Sequence, residues 1–230
     1  EIVMHLSYTM WSDEGDDEKY EEFYPELADS EFDDLSLNEI KDIIEKIDWV
    51  MLLRAGKVFF SGSEVLRNNL NRFEFSNKSP IRKTTKWGEF IIGTRGDDVY
   101  HERFALMIEP GGDDIYYGNL FTDFKSSYYL VIDMEGDDIW NNHSVGGLNR
   151  VLGGIGISID EAGNDLYFGD DLAFSSFAGI QYHCDRKGDD TYRLGRYTLG
   201  ATSFGISLNI NGEGDDIYHT AGYSQGFGGT

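Results

Sequence analysis

Six times between residues 95 and 220 the chain sets a glycine before two polar residues, nearly always both aspartate, and places an aromatic ring two positions later. The copies read "RGDDVYHE" from 95, "GGDDIYYG" from 111, "MEGDDIWN" from 134, "AGNDLYFG" from 162, "KGDDTYRL" from 187 and "EGDDIYHT" from 213. Taking the first acidic position of each as a marker, they fall at Asp97, Asp113, Asp137, Asn164, Asp189 and Asp215, with steps of 16, 24, 27, 25 and 26 residues. A period in the twenties points to a solenoid, in which each turn buries its apolar side against its neighbours. A further GDD at Gly15 is followed by Glu18 and Lys19, where a strand should begin, and is not counted as a copy.

The segment before each marker decides strand over helix. "FALMIEP", "YYLVIDM", "IGISIDE", "IQYHCDR" and "ISLNING" align without a gap and alternate with a period of two. The alternation suggests an inward set of Ile108, Ile132, Ile159, Cys184 and Ile210 with Leu106, Leu130, Ile157, Tyr182 and Leu208. Met107, Val131, Ser158, His183 and Asn209 would then face outward. A second strand follows each marker, with an aliphatic column (Val99, Ile115, Ile139, Leu166, Thr191, Ile217) beside an aromatic one (Tyr100, Tyr116, Trp140, Tyr167, Tyr192, Tyr218). A third segment is variable and rich in small residues. Three segments in about 25 residues suggest a three-sided parallel β-helix with turns about 4.8 Å apart. The fold expected is mainly β: a parallel β-helix, or β-solenoid, of five to six coils with a small α-helical N-terminal cap. The last coil, from Gly214, stops where the others begin their long strand, which suggests an unfinished turn and a possible edge-to-edge contact there.

Residues 1–90 follow a different grammar from 91–230, and two domains are drawn on that boundary. Residues 1–35 are acidic and aromatic and suggest an irregular arm. "SLNEIKDIIEKIDWVMLLRAG" carries a capping box of Ser36 and Glu39, then Ile40, Ile43, Ile44, Ile47, Val50 and Met51 at helical spacing, with Gly56 as its end. A second helix is expected from about Ser63 to Phe73, and the basic stretch "NKSPIRKTTKWG" (77–88) as a linker. The apolar stripe is expected to cover the open first coil.

Four residues before the marker stands another oxygen-bearing side chain: Glu109, Asp133, Asp160, Asp185 and Asn211. The corner therefore reads [D/E/N]-x-x-G-[D/N]-D-x-[Y/W]. Two readings stay open. Glycine with Asp or Asn forms tight turns in which the side chain bonds main-chain amides, and this needs no metal. Stacked carboxylates about 4.8 Å apart, however, repel by roughly 1 kcal/mol in water and several times that at an effective dielectric near 20, so cations between them would relieve the column. Oxygen-only sites of this kind suit Ca²⁺. The candidate metal ligands are Glu109, Asp113, Asp114, Asp133, Asp137, Asp138, Asp160, Asn164, Asp165, Asp185, Asp189, Asp190, Asn211, Asp215 and Asp216. The copy "AGNDLYFGDD" (162–171) resembles the calcium-binding nonapeptide of repeats-in-toxin proteins, which implies Ca²⁺ held between successive turns. That family repeats every nine residues in tandem, so its β-roll does not carry over to a chain that returns every 24 to 27.

Forty-two acidic residues against 19 basic leave a net charge of −23, which disfavours nucleic acid and anionic lipid as partners. No apolar run is long enough for membrane insertion, and no signal peptide stands at the start. The chain begins at Glu1 without methionine, so a leader removed in processing remains an option. Cys184 is the single cysteine, which excludes an internal disulfide. No HExxH, GxSxG, P-loop or CxxC occurs, the five histidines share no ligand spacing, and Cys184 reads as a buried structural thiol. The function expected is a non-enzymatic structural or adhesive module, stabilised by Ca²⁺, of a secreted or cell-surface protein, meeting another protein or a surface polysaccharide. The alternative is a carbohydrate-binding or carbohydrate-cleaving β-helix resembling pectin-acting hydrolases and lyases, with paired acids for general acid and base, and Asp170 with Asp171 as a local excess.

Overall fold

The computed structural model describes residues 42, 44–101, 103–117, 122, 127–142, 148–226, 228 and 229. The arm of residues 1–35, the GDD at Gly15 and the capping box at Ser36 and Glu39 lie outside them. Compact units divide between Asp48 and Trp49, so the boundary drawn at residue 90 falls inside the second unit.

That unit opens with α1 (Trp49–Arg67), followed by a 3-10 turn at Leu70–Arg72. The strands in chain order are β1 (Ile81–Thr85), β2 (Gly88–Ile92), β3 (Val99–Tyr100), β4 (Phe104–Glu109), β5 (Ile115–Tyr117), β6 (Tyr128–Asp133), β7 (Ile139–Asn142) and β8 (Val151–Asp160). They continue with β9 (Leu166–Gly169), β10 (Ser176–Lys187), β11 (Thr191–Leu194), β12 (Thr202–Ser203), β13 (Ile206–Glu213), β14 (Ile217–Thr220) and β15 (Gly228–Gly229). Strands that precede the markers stack in one sheet, β2-β4-β6-β8-β10-β13, and strands that follow them stack in a second, β3-β5-β7-β9-β11-β14. Every pairing within these two stacks is parallel, as a solenoid requires.

The described residues thus form a mainly β solenoid preceded by the helix α1. About four full turns separate the marker at Asp113 from that at Asp215; the expected five to six coils counted the short 16-residue first turn and the start of the last. The register follows the repeat, with Ile132 beside Ile159, Ile159 beside Cys184 and Tyr167 beside Tyr192. Among the described residues the third segment forms no sheet of its own, because in β8 and β10 it runs on into the long strand. It does carry a repeated backbone conformation: Asn149, Phe174, Leu199 and Gln225 all have φ between 50° and 60°, as do Ala178 and Phe204 at 50°. Such left-handed residues cost roughly 1–2 kcal/mol each, so their recurrence at matching positions from turn to turn marks bends that neighbouring coils impose.

The phase of the alternation is the reverse of the expectation. Met107, Val131 and the aromatic column Tyr100, Tyr116, Trp140, Tyr167 and Tyr192 fill the solenoid interior. Ile108, Ile132, Ile159, Cys184, Leu130, Ile157 and Tyr182 instead form a second core on the outer face, packed under α1. Period two fixes spacing but not which face points in, and here both faces are dry. The helix approaches through Leu52, Phe59 and Leu66, with Gly56 and Ser63 buried between them. Gly56 therefore does not end a helix: a Cβ there would lie 2.5 Å from Ile180 Cδ1, so the glycine marks a close approach to the sheet. Val50 and Met51, expected to cover a coil, are exposed. Arg67 and Arg186 bridge Glu64 and Glu161 at 2.9–3.5 Å along the helix margin.

The basic stretch is no linker. Its β1 pairs antiparallel with β2, from Ile81 opposite Ile92 to Thr85 opposite Gly88, and so closes the first edge of the larger sheet. No helix among the described residues is long and apolar enough to cross a membrane.

Each corner glycine faces the one before it. A Cβ on Gly136 would lie 1.8 Å from Gly112 O, and one on Gly188 would lie 1.5 Å from Gly163 O, with φ at +144° and +152°. Gly188→Ala should therefore cost about 3 kcal/mol, from backbone strain together with overpacking. Gly62, with open space around it on α1, provides the opposite case: Gly62→Ala should gain roughly 0.5–1 kcal/mol. Chemical denaturation of both variants checks the pair.

Candidate metal centre

The corner folds as it does because its two acids pair with the backbone of adjacent coils. First-position side chains reach forward: the Oδ1 atoms of Asp97, Asp113, Asp137, Asn164 and Asp189 accept the amide N–H of Asp113, Asp137, Asn164, Asp189 and Asp215 at 2.8–3.0 Å. Second-position side chains reach back: the Oδ1 atoms of Asp114, Asp138, Asp165, Asp190 and Asp216 accept the N–H of Asp98, Asp114, Asp138, Asp165 and Asp190 at 2.5–3.0 Å. The turn-forming reading expected bonds to the residue's own turn. These bonds run between turns instead, and at the first described corner Asp98 also accepts an amide of its own turn, that of Thr94 at 3.1 Å.

The two columns differ in exposure. Asp113, Asp137, Asn164, Asp189 and Asp215 are exposed, and Asn164 interrupts their row of like charge while donating from Nδ2 to Asp137 at 3.1 Å. Asp114, Asp138, Asp165 and Asp190 are buried, 0–2% exposed. Buried with them are the strand-end acids Glu109, Asp133, Asp160 and Asp185, which share the inward phase of Met107 and Val131.

Among the described residues, seven of these acids meet in three stacked triads: Asp114 with Asp133 and Asp138, Asp138 with Asp160 and Asp165, and Asp165 with Asp185 and Asp190. Within each triad one oxygen per residue lies within 4.8 Å of the other two. Such triads could hold metal ions. Of the other candidates, Glu109 receives a hydrogen bond from the Tyr100 hydroxyl, Asn211 donates to Tyr218 Oη at 2.8 Å, and Asp113, Asp137, Asn164, Asp189, Asp215 and Asp216 lie outside the triads.

The aromatic column adds hydroxyls to this wall. Its rings stack from Tyr100 to Tyr218 with centroids 3.6–6.2 Å apart. Tyr116 donates to Asp133 at 2.5 Å, and Tyr167 to Asp185 at 3.0 Å. Trp140, in the column without a hydroxyl, gives Asp160 none, and the hydroxyl that reaches it is that of Tyr167 at 3.4 Å. Even so, every triad residue keeps one buried oxygen without a hydrogen-bond partner among the described residues: Oδ2 of Asp114, Asp138, Asp165 and Asp190, and Oδ1 of Asp133, Asp160 and Asp185.

Without a cation, burial makes these carboxyls weak acids. Burial, opposed by hydrogen bonds to the charged form, pushes Asp138 and Asp185 up to about 6. Asp114 rises to about 7, Asp165 and Asp190 to about 8 and Glu109 to about 9. Burial, reinforced by neighbouring carboxylates, raises Asp133 and Asp160 well above the usual range.

Sequence reasoning missed one interior network. Ser158 Oγ lies 2.7 Å from His183 Nδ1, and His183 Nε2 lies 3.1 Å from the Tyr192 hydroxyl, which in turn donates to Asp185 at 3.3 Å. Burial pushes His183 down to about 3. The loss of apolar character down the column Met107, Val131, Ser158, His183, Asn209 was its signal, hidden by the reversed phase. Asp171, the local excess noted in the sequence, pairs with Arg196 at 3.0 Å.

Because the folded protein holds protons that unfolded carboxyls release near pH 4, this contribution to stability is full below about pH 4 and fades as pH rises through 6 to 9. His183 acts in the opposite sense, but only as pH falls below about 6.5. In a chelator the melting temperature should therefore decline between pH 6.5 and 9, as followed by circular dichroism. A flat profile would contradict the burial of these acids.

Comparison with family models, curated proteins and solved structures gave no match.

Proposed function

We propose that the chain is a non-enzymatic structural or adhesive repeat module, stabilised by Ca²⁺ held in the buried Asp triads and belonging to a secreted or cell-surface protein. The observation that carries this reading is the set of seven buried carboxylates, each with an oxygen that lacks a donor among the described residues. Three carboxylates within 4.8 Å repel by about 3.5 kcal/mol per pair at an effective dielectric near 20. A hard divalent cation removes that repulsion and satisfies the orphan oxygens together. Export fits the chemistry, since free calcium is abundant outside cells.

The carbohydrate-cleaving alternative has less support. The triad acids are 0–3% exposed and closed to a polymeric substrate, and the aromatic rings from Tyr100 to Tyr192 are buried in the stack. For adhesion the surface offered is the last described rung of each sheet. There Ile206, Leu208, Ile210, Ile217 and Tyr218 are exposed beside a cavity of about 410 Å³ lined by Tyr192, Leu199, Asn209 and Tyr218. We assign this face to edge-to-edge contact with another protein; a surface polysaccharide is the other partner class.

Melting in EDTA and then in rising Ca²⁺, with Mg²⁺ as control, tests the calcium reading. At a hundred times the dissociation constant one site adds about 2.7 kcal/mol. At about 2–4 °C per kcal/mol, the melting temperature should rise by roughly 5–10 °C. Mg²⁺ should give much less, because it keeps waters that a buried site has little room for. No shift with Ca²⁺ would reduce the aspartates to backbone-pairing groups.

A further inference from the structure

We infer that the three triads form a single file of three divalent cations in which Asp138 and Asp165 each serve two neighbouring ions. This rests on the calcium reading above, and it adds a count, two bridging residues and two defined ends.

Geometry sets the count. Ligand oxygens within 4.8 Å of one another fit one shared centre, since two oxygens across a Ca²⁺ shell are about 4.8 Å apart at a bond length of about 2.4 Å. Each triad takes the second acid of one coil together with the strand-end acid and second acid of the next. Consecutive triads therefore overlap in one residue, Asp138 and then Asp165. Independent sites would share none.

Charge sets the valence. The seven distinct residues of the three triads carry seven negative charges when ionised, against six positive from three divalent ions. Three monovalent ions would leave four of the seven charges unmatched, so that those acids would have to keep their protons and could not act as ligands in full.

The side chains at either end set the length. Before the first triad, Glu109 replaces aspartate, and the second acid of its corner, Asp98, has Oδ2 taken by the Thr94 amide, the Thr94 hydroxyl and the Tyr100 hydroxyl at 2.8–3.2 Å. After the third, the strand-end position is Asn211, neutral and donating to Tyr218. The exposed column lies outside the triads, and its Oδ1 atoms are committed to the amides of the next coil. The file therefore spans the three steps from Asp114 to Asp190, although the repeat itself runs on in both directions.

The test is ion stoichiometry, by native mass spectrometry and by metal analysis after desalting at a free Ca²⁺ that just saturates the wild type. The wild-type protein should hold three ions. Asp133→Asn, in one triad, should hold two; Asp138→Asn, in two triads, should hold one; Asp137→Asn, in the exposed column, should hold three. Asn can keep the backbone bond, as Asn164 does on Asp189 N–H at 2.9 Å, and circular dichroism in chelator checks that each variant folds. Equal losses from Asp133→Asn and Asp138→Asn would overturn the sharing. A wild-type count other than three would overturn the file by itself, even if no variant folds. Fewer ions with a calcium-dependent melting temperature would sink the file and leave the calcium reading standing. No ions and no shift would sink both.

Discussion

Everything in this solenoid hangs on how closely one corner can lie on the next. The glycine of each GDD has no Cβ, so the carbonyl of the previous corner sits where one would be, 1.5–1.8 Å from the ideal position at Gly136, Gly163, Gly188 and Gly214. At that separation the acids on either side reach the amides of neighbouring turns. Strand register, the stacked rings and the inward-pointing acids all follow from this contact. The aspartates are therefore more than turn formers: Oδ1 of the buried column holds the backbone of the neighbouring coil, and Oδ2 is left over.

Much of the fold was legible because a repeat writes its own alignment. Columns such as Ile132, Ile159 and Cys184, or Tyr167, Tyr192 and Tyr218, could be lined up by spacing, and they are the residues that pair. Phase was not legible. A strand buried on both sides shows apolar residues at both parities, and the helix that dries the outer face lies far away in sequence. Gly56 misled for a related reason. In isolation it reads as a helix stop, whereas the packed helix uses it to approach Ile180.

The candidate site was legible as columns but not as a geometry. All fifteen candidate residues have the right chemistry, and only the coil-to-coil offset separates the seven that converge from the eight that do not. No spacing rule distinguishes Asp137 from Asp138, one exposed and one buried, because they are neighbours in the chain on opposite sides of a bend. The departures at Glu109 and Asn211 were visible as letters. Their meaning as ends required the tyrosine hydroxyls around them.

The two rows of side-chain bonds also have a mechanical consequence. First acids point up the stack and second acids point down it, so each junction is fastened by two bonds of opposite polarity about one residue apart in the chain. A coil that slides either way across its neighbour must stretch one of them, while pulling along the stack axis loads both at once. Such a wall is stiff in shear and shares tension among its rungs, like a column riveted from both sides. Force applied at one end would reach the other end through the corner together with the backbone ladders of the two sheets and the coil-to-coil bonds of the variable segments.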